Sequence, residues 1–112
     1  MLNVSNSRLN AFQKSNRKAM KDGILENGGI IHSSVDTGVT LVILSDFPGS
    51  RMGRMAVSVQ SPDEQKFRRK VGEFYALQRF EFGEHIPVPM DDALCDEWRE
   101  CMCEHLSAWS CK

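Results

Sequence analysis

The stretch Ser61-Pro62-Asp63-Glu64-Gln65-Lys66-Phe67-Arg68-Arg69-Lys70-Val71-Gly72 divides a strand-forming half of this chain from a helical one. Ser61 and Glu64 have capping-box spacing, in which each side chain satisfies the other residue's N–H. Pro62 stands at the first helical position, where its missing N–H costs nothing. Phe67, Val71, Phe74 and Leu77 or Gln78 recur at helical spacing. A helix over residues 61–79 is therefore expected to lie on a sheet and to fray near Gly83.

Upstream of it, Val39-Thr40-Leu41-Val42-Ile43-Leu44 is apolar on both alternating sets, as expected of a central strand covered on both faces. Before it stand Ile30-Ile31-His32 and Val35, then Asp36-Thr37-Gly38 as a tight turn. After it, residues 47–54 read as a longer turn, and Met55, Val57 and Val59 alternate with Ala56, Ser58 and Gln60 as a half-buried strand. These runs predict a three-stranded antiparallel meander. An N-terminal helix is expected from a cap at Asn6 or Ser7 to about Asp22, stopped by Gly23, with a thin apolar face of Leu9, Phe12, Ala19 and Met20. Ile86-Pro87-Val88-Pro89 reads as an extended connector. A last helix begins near Met90, with Asp91 and Asp92 suiting its dipole and Leu94, Trp98, Cys101 or Met102, His105 and Trp109 forming its stripe. The expected class is α+β: an N-terminal helix, the meander, then two helices packed on the sheet, in one domain over residues 1–112.

The chain has 112 residues and a net charge of -1, so no bulk electrostatic drive toward DNA or anionic membrane is expected. Charge is unevenly spread: residues 1–24 carry five basic residues against Asp22, and residues 90–112 carry six acidic residues against Arg99 and Lys112. No apolar run approaches the roughly 20 residues that span a bilayer. The first residues lack the apolar stretch of a secretory signal, so a cytoplasmic location with reduced thiols is expected. Cys101 and His105 stand at i and i+4, but Cys103 points away and the cysteines lack the paired spacing of structural zinc sites. No metal or cofactor is expected. There is no nucleophile elbow, P-loop or dinucleotide fingerprint, and the carboxylate pairs Asp91/Asp92 and Asp96/Glu100 read as a solvated face. A non-enzymatic protein is expected.

The densest positive charge is Lys66, Arg68, Arg69 and Lys70, with Arg79 further along the same helix. Near-adjacent cations repel unless something negative answers them. Arg69, Lys70 and Arg79 are the candidates for phosphate or ribose oxygens, Arg51 and Arg54 of the preceding turn can close over them, and Tyr75 can stack on a base.

The alternating strand ending in Ser61-Pro62, followed by Phe67-x-Arg69-Lys70-x-Gly72 and Arg79, resembles small bacteriophage-encoded accessory proteins over roughly residues 54–80. The resemblance implies a binding protein of the anti-defence type acting in the host cytoplasm. One form sequesters a small anionic, cyclic nucleotide signal between subunits of a homo-oligomer, with Trp98, Met102 and Trp109 as the expected seam. The alternative is a protein-binding inhibitor of a bacterial defence effector, anti-CRISPR-like, using the acidic last helix as a nucleic-acid mimic or the basic first helix. Direct nucleic-acid binding is disfavoured by the near-zero net charge.

Overall fold

The computed structural model describes residues 3–4, 9–60 and 67–110, with the backbone alone at 3, 4, 109 and 110. Its sheet contains β1 (Asn3–Val4), β2 (Ile30–Ser34), β3 (Val39–Ser45), β4 (Met52–Gln60) and β5 (Ile86–Pro89). Strands β2, β3, β4 and β5 are antiparallel in that order, and β1 pairs parallel with the end of β4. β5 lies against residues 52–55 of β4 and β1 against Val59 and Gln60, so the two short strands share one side of β4, end to end. The tight turn before β3 closes on Gly38, whose φ of 73° suits glycine and whose N–H donates to the Ser34 carbonyl at 2.8 Å.

The α+β class holds, but the meander gains a fourth antiparallel strand. Ile86–Pro89 is not a connector. Its prolines fall on alternate residues opposite Met52 and Arg54, which leaves the N–H groups of Ile86 and Val88 for the ladder of an edge strand. Met52, Gly53 and Arg54, expected in a turn, belong to β4, and Val35, expected in a strand, sits exposed in the turn after β2. Nor is β4 half-buried, because Ala56 and Ser58 are as covered as Met55, Val57 and Val59.

Helices cover both faces. Val39, Leu41, Ile43, Met55, Val57 and Val59 meet Met90 and Ala93 of α3 (Met90–Ala93) and Cys103 of α4 (Asp96–Ser110), with Trp98, Met102 and Leu106 packed against them. On the other face, Val42 and Ala56 meet Ile24 of α1 (Ala11–Glu26) and Ala76, Leu77 and Phe80 of α2 (Arg69–Glu81). α2 approaches the sheet closely at Gly72: a Cβ there would stand 2.7 Å from Thr40 Oγ1, and Ser58 Oγ donates to the Gly72 carbonyl at 2.7 Å.

The helix boundaries depart from expectation for physical reasons. α1 starts at a capping box of Asn10 and Gln13, whose backbone N–H groups and side-chain oxygens exchange bonds of 2.8 and 3.0 Å. The expected cap at Asn6 or Ser7 lies outside the described residues. The helix continues past Gly23 to Glu26 because burying Ile24, about 1.5–3 kcal/mol, exceeds the cost of a mid-helix glycine, about 1 kcal/mol. Phe12, expected on the inner face, is 78% exposed. α2 begins only at Arg69, since Arg68 is extended at φ -112° and ψ 96°. The expected capping box at Ser61 and Glu64 lies outside the described residues. The chain breaks at Leu94 and Cys95, so α3 and α4 replace one long helix, and Leu94 is 60% exposed. The buried stripe of α4 centres on Cys103 rather than on Cys101 and His105, which are exposed. The Trp109 side chain lies outside the described residues. Among the described residues, no helix is long and apolar enough to cross a membrane.

Candidate anion-binding site

Residue numbers rise together along α1 and α2. Leu9 groups with Val71 and Phe74, Arg17 pairs with Glu73, and Ile24 groups with Leu77 and Phe80. Both helices therefore start at the same end of the molecule. Their joint is Glu73, whose side chain is only 4% exposed. Its Oε1 accepts from Arg17 Nη1 at 2.8 Å and from Lys21 Nζ at 3.2 Å, and Arg69 Nε stands 3.7 Å from Oε2. The basic face of α1 is thus partly spent inside the fold.

Beside this joint, toward the start of both helices, lies a cavity of about 440 Å³. Among the described residues it is lined by Leu9, Lys14, Phe67, Arg68, Arg69, Lys70 and Val71. Four of these are cations, three are apolar, and none is a carboxylate. The volume falls in the ordinary range for small-molecule sites, about 300–1,000 Å³. The cations stand where a helix disfavours them: neither α1 nor α2 has an acidic residue in its first turn, and the Arg68 side chain provides no cap. Arg68 lines the cavity, and its Nε is buried with no hydrogen-bond partner among the described residues. Such a wall can hold phosphate or carboxylate oxygens against the cations while Phe67, Leu9 and Val71 meet an apolar or planar portion.

The six residues expected to bind ligand do not form one site. Arg69, 65% exposed in its side chain, and Lys70 line the cavity. Arg51 is exposed in the turn before β4, where its carbonyl accepts from the Met90 N–H at 2.8 Å. Arg54 stands 3.5 Å from Asp46 and lies over the Phe80 ring, 5.1 Å from its centroid. Arg79 Nη1 donates to the Val57 carbonyl at 2.7 Å, at the point on β4 between the segments paired with β5 and with β1. Burial lowers the Arg79 pKa, with Glu84 acting in the opposite sense. Arg79 thus serves the sheet edge. Tyr75 is half-buried, edge-on to Phe74 at 5.2 Å, and packs with Leu9, Val71 and Phe74. Trp98 and Met102, expected at an oligomer seam, pack against the core.

Lys14, Arg68 and Phe67 are cavity residues that sequence reasoning did not place in the site. Arg68 was legible as charge beside Arg69. Lys14 becomes a neighbour only through the pairing of α1 with α2. The other face holds a polar cluster. His32 Nε2 lies 2.8 Å from Glu100 Oε1, and Arg99 Nε donates to His32 Nδ1 at 3.4 Å, which ties β2 to α4. The Ser34 hydroxyl reaches the Glu100 carboxylate, not the imidazole. Burial, with Glu100 nearby, pushes the Cys103 thiol up to about 12, so it stays protonated near neutral pH. No group of three potential metal ligands occurs among the described residues.

No protein-family model, curated protein or solved structure matches this chain.

Proposed function

We propose that this protein is a non-catalytic binding module that captures a small anionic nucleotide in the cavity at the shared start of α1 and α2. The observation that carries this is the cavity wall itself: Lys14, Arg68, Arg69 and Lys70 around an apolar floor, with no carboxylate among its described lining residues. Phosphate oxygens take the cations, and a base lies against Phe67, which assumes the stacking role first expected of Tyr75. The biological setting we propose is phage anti-defence, in which a nucleotide signal is held without being cleaved. Thermal-shift measurements against a panel of cyclic and linear nucleotides test this. Stabilisation that disappears in Arg68→Ala and persists in Arg51→Ala is expected, with the nucleotide recovered unmodified after heating. Equal stabilisation of both variants would remove the cavity from the account.

The exposed acids Asp91, Asp92, Asp96, Glu97 and Glu104 favour a second proposal, a protein-binding inhibitor whose acidic surface imitates nucleic acid. Co-purification with a defence effector that survives Arg68→Ala and is lost when these acids are neutralised would select it.

A further inference from the structure

Toward the start of α1 and α2, the described cations are Lys14, Arg68, Arg69 and Lys70 on the cavity wall and Arg17 and Lys21 at Glu73. Arg17 and Lys21 bond directly to Glu73, and Arg69 reaches it only at 3.7 Å. One negative charge is thereby shared among three cations, and Lys14, Arg68 and Lys70 face the cavity with none of it. The free protein thus carries four cations on the cavity wall with no carboxylate among its described lining residues. A ligand with one negative charge leaves most of that repulsion standing, whereas each added charge removes more of it. The donor geometry agrees with this count. Two planar guanidinium forks and two ammonium groups offer more N–H donors than the two free oxygens of a phosphodiester can accept.

We infer that the cavity selects a nucleotide bearing at least two negative charges, as a terminal phosphate or a pyrophosphate, over a cyclic mononucleotide with one phosphodiester charge. This rests on the nucleotide-binding proposal and narrows it to a ligand class. The apolar side of the cavity, Leu9, Phe67 and Val71, meets the same base in every adenine nucleotide compared. Charge therefore sets the affinity order and the base sets the pose.

Calorimetric titration of the full chain at pH 8 and fixed ionic strength with cyclic AMP, AMP and ADP tests the inference. Affinity should rise in that order, by roughly fivefold or more for each added charge, the factor corresponding to about 1 kcal/mol between unit charges 4 Å apart in water. AMP affinity should also fall as pH drops through about 6, where its phosphate takes up a proton, while cyclic AMP affinity stays level. Lys14→Ala and Lys70→Ala should each weaken ADP more than cyclic AMP, and Arg51→Ala should change neither. Cyclic AMP binding as tightly as ADP would overturn the inference and leave nucleotide binding intact. Failure of all three to bind would overturn nucleotide binding and the inference with it.

Discussion

Around Glu73, Arg17 and Lys21 donate to a carboxylate that is nearly inaccessible to solvent. Beside it, on the same two helices, Lys14, Arg68, Arg69 and Lys70 line a cavity in which no described residue supplies a carboxylate. Both regions look alike in sequence: basic residues at helical spacing. They differ in what answers the charge. At the joint the answer is internal, and the cations act as fasteners between α1 and α2. At the cavity no described lining residue supplies it, and the cations there are a cost that the free protein carries. Residues that act at a site often lower the stability of the fold that presents them, and this pair of regions places that trade within one helix–helix contact.

The comparison breaks most visibly at Glu73. Glu73→Gln leaves Arg17, Lys21 and Arg69 facing one another without an acid, and removing one partner of a buried charge pair costs about 3–5 kcal/mol. A large drop in melting temperature is expected, and an unchanged one would show that the joint does not hold the helices. Arg17→Ala should cost less, about 1–3 kcal/mol, because Lys21 still reaches both Glu73 oxygens. Lys70→Glu sharpens the contrast from the other side. It puts an acid in the first turn of α2, where the helix dipole favours one, so the ligand-free protein should gain about 0.3–1 kcal/mol while nucleotide binding is lost. Chemical denaturation of the three variants, run with and without ADP, reads all of these effects together.

How far the sequence reveals this architecture depends on whether a residue's role is local. The residues of β3 are apolar on both alternations, and that pattern has one common meaning, a strand covered on both sides. β5 is obscured because Pro87 and Pro89 argue against a strand, and only the register against β4 shows that they occupy alternate positions. The inner face of α4 is displaced because the break at Leu94 and Cys95 resets the helical phase, moving the core position onto Cys103. The site divides on the same principle. Arg69 and Lys70 announce themselves by charge density. Lys14 does not, since it stands more than fifty positions away and arrives through tertiary packing. Arg79 was misleading in the opposite sense: an arginine that bonds to a strand carbonyl has the same sequence signature as one that waits for a ligand.

The most direct measurement is a backbone-amide NMR titration with ADP. The account predicts chemical-shift changes concentrated at Lys14 and at Arg68, Arg69, Lys70 and Val71, with Arg51, Arg54 and Arg79 little affected. Changes centred on Arg51, Arg54 and Arg79, or no localised changes at saturating ADP, would contradict it.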